Sequence, residues 1–546
     1  MEATANDCSR IESECFLRNK IYMSSSNVNS GIEVNKTIVL VNSVSSAIVL
    51  VLKLTVLIWL QQYLLKRISA EEYSLIPIMM AMMAIPPLIT MILTSGIGRY
   101  TTIAFAKNDH KQITKICSTM FPILVTLGII IFIIGVILAL KINIVLNVSM
   151  AQLKDARIMT VLLFFHISMQ LILSIFSSGL LIRQKLVLEN FIALACELFR
   201  IALLFFLLLY FKPRSLWVIL SLISSGTLQL VISSIISYRL IPSQRVVRGY
   251  FDRNLLKELL NFGSHIFLSK FSEIIKKSLD PIILNKFSTA TEVTMFHVGS
   301  LIPRQLENFL GPITRPLFPV FSSLYANHEN ERLSNVYLRS ARYHSWVLVF
   351  FSIPIIIYSN ELMSLYLDEL YPGVGNILIL LLSVEVLRRF HSFGQYVAGV
   401  TGYAKELSTR TIIVQAINLV CTVVFVVFLK KGAFGSAFAS LLSVLPFEMI
   451  ILWPLYNKVS YVSFRTWVRN AVVPVVLPAL PSIIFCIIMK RILSINTWLL
   501  LFTICVISGI LYVIFILLFG ITKQDRNDLH MFVKKIKTIL KGRKKK

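Results

Sequence analysis

Apolar residues run continuously along the chain and do not alternate with polar ones. Fourteen such runs fall at about 38–62, 74–98, 117–140, 158–182, 190–211, 216–238, 262–284, 294–317, 344–366, 376–399, 411–429, 435–456, 471–489 and 497–520. A helix crossing the bilayer needs roughly 20 apolar residues. The strands of a membrane barrel would instead alternate every second residue. The pattern therefore predicts an all-α polytopic membrane protein with about fourteen transmembrane helices. The runs at 262–284 and 294–317 carry charges and are the weakest. Connections are short, which leaves no room for a large soluble domain. The first run starts near Thr37, behind a polar tail with Glu2, Asp7, Glu12 and Glu14. A cleavable signal would place its apolar core nearer the start, so the first run is expected to be an uncleaved span.

A shift of 220 residues brings the chain onto itself. Leu64, Lys66, Ala70 and Glu72 fall on Leu284, Lys286, Ala290 and Glu292. Phe105, Ala106, Asp109 and Ile113 fall on Tyr325, Ala326, Glu329 and Leu333, and Lys185 on Lys405. Each unit holds six runs, an even number, so the copies share one orientation and form a parallel repeat. The expected organisation is a polar tail (1–36), an N-lobe of helices 1–6 (37–258), a C-lobe of helices 7–12 (259–460), helices 13–14 (461–520) and a basic tail (521–546). Two six-helix lobes suggest a transporter whose substrate path lies between them and which works by rocking one lobe against the other. A channel is disfavoured, because no filter loop or fourfold pore repeat is visible.

Composition narrows the class further. The chain of 546 residues is 56% hydrophobic and only 15% charged, which excludes a water-soluble globular enzyme and a disordered chain alike. Its net charge of +27 reads as membrane topology and not as nucleic-acid binding. With the N-terminus inside, inner segments hold 33 Lys and Arg and outer loops hold 12. The positive-inside rule then places both termini in the cytoplasm, and the expected location is the plasma membrane. Ten basic residues between Lys523 and Lys546 make the C-terminal tail a surface for anionic lipid headgroups. Seven scattered cysteines without a CxxC read as small core residues.

Ionisable groups within spans are costly and normally face protein or water. In the seventh run Lys270, Glu273, Lys277 and Asp280 share one helix face. In the eighth, Arg304, Glu307 and Arg315 do so; in the tenth, Glu385, Arg388 and Arg389, with His391 beside them; in the first, Lys53 lies mid-run. The functional reading is a cationic, water-filled cavity in which Lys53, Lys270, Lys277, Arg304, Arg388 and Arg389 hold an anionic substrate group, because arginine presents a planar fork matched to phosphate. Glu273, Asp280, Glu307 and Glu385 then act as coupling groups or charge partners. The bland reading is self-neutralising pairs, such as Arg304 with Glu307. The first lobe is more neutral, with His166 and a Glu197–Arg200 pair. Pro86-Pro87 in the second run, and Pro303, Pro312 and Pro316 in the eighth, predict bends at related positions. No nucleotide-binding, metalloprotease or hydrolase motif occurs. No catalytic residue, metal or cofactor is therefore expected. Movement must run downhill, on an ion gradient with H+ or Na+, or on the membrane potential.

Several stretches carry a family resemblance: Arg67-Ile-Ser-Ala-Glu-Glu-Tyr73, Ser278-Leu-Asp-Pro-Ile-Ile-Leu284, Pro319-Val-Phe-Ser-Ser-Leu-Tyr-Ala326 and Gly432-Ala-Phe-Gly-Ser-Ala-Phe-Ala439. In their order and spacing the chain resembles the Wzx-type polysaccharide and O-antigen flippases of the multidrug/oligosaccharidyl-lipid/polysaccharide (MOP) exporter superfamily. Ser74 departs from the family, which commonly has glycine there. The resemblance implies a carrier that flips a polyprenyl-pyrophosphate-linked oligosaccharide from the inner to the outer leaflet. It also implies that helices 13–14 line a groove for the lipid tail, and that Asp280 matches the family's aspartate. Two alternatives stand beside it. A drug/cation antiporter of the same superfamily would need an acidic cavity. A membrane-embedded glycosyltransferase would need carboxylates in sizeable outer loops.

Overall fold

The computed structural model describes residues 56, 59–84, 86–176, 179–183, 185–314, 317–368, 370–522 and 525–526, with the side chains of 262–278 and a few others left out. Lys53, the N-terminal tail and the basic tail beyond Arg526 lie outside the described residues, as do the side chains of Lys270, Glu273 and Lys277.

The described chain is helical and without strands. Nine of its helices are long and apolar enough to cross a membrane: His110–Leu140, Leu153–Phe176, Val187–Tyr210, Ser215–Leu240, Asn330–Ile357, Ala404–Phe428, Gly432–Ile451, Phe464–Ile492 and Trp498–Gly520. They match the third to sixth, ninth, and eleventh to fourteenth predicted runs. Of the remaining runs, the first lies mostly outside the described residues, and the second, seventh, eighth and tenth are helical. The second is helical over Ala70–Ala84 and Pro86–Ala106, and the residue between them, beside the Pro-Pro pair where a bend is expected, lies outside the described residues. The seventh is a single 35-residue helix, Arg253–Phe287, so the expected lobe boundary at 258/259 falls inside a helix. The eighth is helical over Ala290–Gly299, Leu301–Thr314 and Leu317–Ala326, with 315–316 outside the described residues. A turn at Ser300 separates the first two; Pro303 sits harmlessly in the first turn after it, where no intrahelical donor is lost. The tenth is Val374–Arg389 followed by Phe393–Val400.

The 220-residue repeat extends to backbone geometry. Asn108 and His328 each close the helix before them in the left-handed region, with φ of 55° and 56°. Asn108 N–H donates to Phe105 C=O and Asp109 N–H to Ala104 C=O; His328 and Glu329 repeat both bonds to Tyr325 and Leu324. Ser69 and Thr289 likewise accept from the amides of Glu72 and Glu292 at the starts of the second and eighth helices.

Polar bonds join the lobes at the end that the positive-inside rule places outside. Asn147 N–H donates to Asn285 Oδ1 (3.0 Å), and Asn285 Nδ2 donates back to Asn147 C=O (3.2 Å). Gln62 donates to Tyr366 C=O, Thr294 to Ala70 C=O, and Lys66 pairs with Asp368. Beneath them one apolar cluster contains Ile142 and Leu146 of one lobe and Leu284 and Phe296 of the other. At the opposite end the start of the seventh helix is held on the N-lobe. Leu255 and Leu259 pack with Leu93 and Ile97, and Asp252 pairs with Lys115 at 2.5 Å. Helices 13 and 14 pack on helix 9: Tyr358 O–H donates to Cys486 C=O, and Ser482 meets Ser508. The described cysteines, Cys117, Cys196, Cys421, Cys486 and Cys505, are free thiols.

Candidate functional site

The break in the tenth helix positions the charged residues. No proline causes it. The His391 ring stacks on Trp467 with centroids 3.9 Å apart, and its Nδ1 shares a 2.6 Å hydrogen bond with the Tyr337 hydroxyl. Gly394 lets the Tyr456 ring approach so closely that a Cβ would lie 2.3 Å from Tyr456 Cγ. Tighter bonds bridge the break, from His391 N–H to Arg388 C=O and from Ser392 N–H to Arg389 C=O. Arg388 and Arg389 thus close a helix, where the partial negative charge of its C-terminus favours cations.

The two arginines diverge. Arg388 Nε donates to Glu448 Oε1 on helix 12 at 2.9 Å. Arg389 reaches Glu307 Oε1 on helix 8 at 3.1 Å and Glu385, one turn back, at 3.2 Å. The ladder joins helices 8, 10 and 12 roughly four turns from the ends where Asn147 meets Asn285. Glu448 is 8% exposed, whereas the side chains of Arg388 and Glu307 are each 27% exposed, so the ladder has one accessible flank. Glu448 sits in a π-helical turn, Val444–Glu448, a distortion that often marks functional positions. It was legible only as a lone acid in an apolar run and belonged to none of the stripes.

Arg304 is half-buried and interacts electrostatically with Asp280 and Glu307. Asp280 accepts a 3.4 Å bond from Thr422 of helix 11. The structure thus brings Arg304, Arg388 and Arg389 together with Asp280, Glu307, Glu385 and Glu448: three cations against four carboxylates, a mixed-charge network among the described side chains. The partner of Glu307 on the neighbouring helix is Arg389. Arg388 is engaged through Nε and Arg389 through Nε and one Nη, so an anion at this site competes with carboxylates for those donors. In the N-lobe Arg200 pairs with Glu197 at 2.5 Å and His166 Nδ1 meets Thr227 Oγ1 at 2.9 Å, which agrees with its more neutral character.

Relatives share this architecture. The chain is 18% identical over 479 residues to the uncharacterized membrane protein EpsK of Bacillus subtilis, covering 86% of this chain and 93% of EpsK. The lipid II flippase MurJ, in an inward closed conformation, superposes with a TM-score of 0.62 at 16% identity, covering 87% of this chain and 98% of MurJ. An inward-facing multidrug resistance MATE family transporter of the MOP superfamily gives 0.57 at 15% identity, covering 74% and 94%. A MOP superfamily transporter from Pyrococcus furiosus gives 0.54 at 13%, covering 76% and 94%. The protein therefore has the polytopic all-helical fold of that superfamily and is an integral membrane protein. The profile of the polysaccharide biosynthesis protein family matches residues 39–325, more than half of the chain, and the chain belongs to that family.

Proposed function

We propose that the protein is a flippase that carries a polyprenyl-pyrophosphate-linked oligosaccharide from the inner to the outer leaflet of the plasma membrane by alternating access. The supporting observation is the clasp between lobes at the outer end, Asn147 with Asn285 and Lys66 with Asp368, a pattern suited to a carrier resting open towards the inside. Family membership and the fold shared with a lipid II flippase support a lipid-linked cargo. In this reading Arg304, Arg388 and Arg389, with Lys53, Lys270 and Lys277, receive the pyrophosphate. Glu307, Glu385, Asp280 and Glu273 release them by taking up a proton or sodium ion. The lobes 37–258 and 259–460 rock about the site, and both termini stay in the cytoplasm.

The test is complementation. A bacterium lacking its own lipid-linked oligosaccharide flippase is expected to regain surface polysaccharide when it expresses this chain. Raised drug tolerance without surface polysaccharide would favour the antiporter reading. Glycosyl transfer by the purified protein would favour the enzyme.

A further inference from the structure

A cleft of about 620 Å³ opens on the inner face of the N-lobe, between the start of helix 3 and the connection that leads into helix 7. A second, of about 400 Å³, adjoins it, and the two share Lys111 and Tyr250. The connection is fastened to helix 3 by several hydrogen bonds, one of them from Thr119 Oγ1 to Tyr250 C=O. Thr114 donates to Ser243 C=O, Ser243 meets His110 Nδ1, Val247 N–H donates to Ser118 Oγ, and Asp252 N–H donates to Thr119 Oγ1. The cleft is therefore a built feature of the fold.

Its charges are unequal in their commitments. Asp109 accepts from Gln112 N–H and caps helix 3. Asp252 caps helix 7 through the amides of Asn254 and Leu255, and also pairs with Lys115. The Lys115 ammonium bonded to Asp252 holds that carboxyl below its ordinary range, so it stays ionised and engaged. Lys111, Arg245 and Arg253 line the clefts and form no ion pair among the described residues. Beside them Val246, Tyr250 and Phe251 are 42%, 43% and 53% exposed. Aromatic side chains at this level favour the headgroup region of a bilayer, and basic residues there attract anionic lipid.

We propose that this cleft binds the phosphate of an anionic glycerophospholipid in the inner leaflet. Lys111, Arg245 and Arg253 contact the headgroup, and Tyr250 and Phe251 enter the interface beside it. The site rests on the inner assignment of this face, is independent of what the protein carries, and is separate from the basic C-terminal tail.

Native mass spectrometry of the full-length protein, delipidated and then titrated with phosphatidylglycerol or phosphatidylcholine, tests the site. Wild type is expected to retain phosphatidylglycerol preferentially. Each cation near the surface contributes roughly a fivefold preference, so the combined Lys111→Gln, Arg245→Gln and Arg253→Gln variant, its tail intact, should lose most of that selectivity. The charge-preserving Lys111→Arg, Arg245→Lys and Arg253→Lys variant should keep it. Undiminished selectivity in the glutamine variant overturns the site, as does equal loss in both variants. Displacement of phosphatidylglycerol by inorganic phosphate, but not by chloride at equal ionic strength, overturns the lipid and indicates a soluble phosphate ligand.

Discussion

Glu72 and Glu292 stand 220 residues apart, and each accepts a hydrogen bond from a backbone amide that opens another helix of its own lobe. Ser215 N–H donates to Glu72 at 3.1 Å, and Ala433 N–H donates to Glu292 at 2.6 Å. Each carboxylate so ties helix 2 to helix 6, or helix 8 to helix 12, and lies at a helix N-terminus where negative charge is favoured. The two copies of the duplicated unit therefore share an internal strut as well as a helix order.

Because the struts are equivalent, Glu72→Ala and Glu292→Ala should destabilise the detergent-solubilised protein by similar amounts, about 1 kcal/mol each. The corresponding glutamine variants, which keep an acceptor, should lose less. Thermal melting of the four variants checks this. A loss confined to one lobe would show that only one contact bears load.

The ladder predicts a separation of folding from transport. Arg388→Gln leaves the Glu448 carboxylate buried without its cation, a loss on the order of 3 kcal/mol, and should lower the amount of protein in the membrane. Adding Glu448→Gln should restore that amount. If Arg388 also receives the pyrophosphate, the double variant stays folded yet does not export surface polysaccharide. Full export by the double variant would confine the pair to a structural role.

The outer clasp predicts a reversible block. In a background without native cysteines, Asn147→Cys with Asn285→Cys should cross-link under a mild oxidant and stop transport. Reductant should restore it, while either single variant stays active in oxidant. Undiminished transport by the cross-linked chain would remove this end from the moving parts.

A fourth prediction concerns the root of the C-terminal tail. Asp525 accepts bonds from Arg342, Tyr343 and Thr522. Burial alone would push its carboxyl up, but these donors outweigh burial and hold it below the ordinary value of 3.8. Its stabilising contribution is thus present above pH 3.8 and disappears as pH falls through the lower folded-state value. Asp525→Asn should cost about 2 kcal/mol near neutrality. The gap in melting temperature between wild type and variant should narrow in acid.

The parts of the fold set by local chemistry were readable in the chain. Long apolar runs mark the helices, and the spacing of Asp109 and Glu329 marks the repeat. Contacts made across helices were not. The gap at 390–392 contains neither proline nor glycine. It depends on Trp467 and Tyr456, more than sixty residues further on. Helical periodicity suggested Arg304 as a partner of Glu307, and the two do interact, but it compares positions on one helix only. It could not show that the same carboxylate also meets Arg389, which packing of helix 10 beside helix 8 brings to it. Lys53, Lys270, Glu273 and Lys277 keep the roles suggested by their stripes as part of the proposal.

The reciprocal bond between Asn147 and Asn285 has an energetic corollary. Both groups are neutral amides, and water can satisfy each of them as well as they satisfy one another. A hydrogen bond exchanged for water changes free energy by only about 1 kcal/mol. Such a joint fixes where the lobes meet without fixing how long they stay together, so the open and closed arrangements can lie close in free energy. The Lys66–Asp368 pair in the same clasp is largely exposed, and an exposed ion pair adds only about 0–1 kcal/mol, so it does not change that balance.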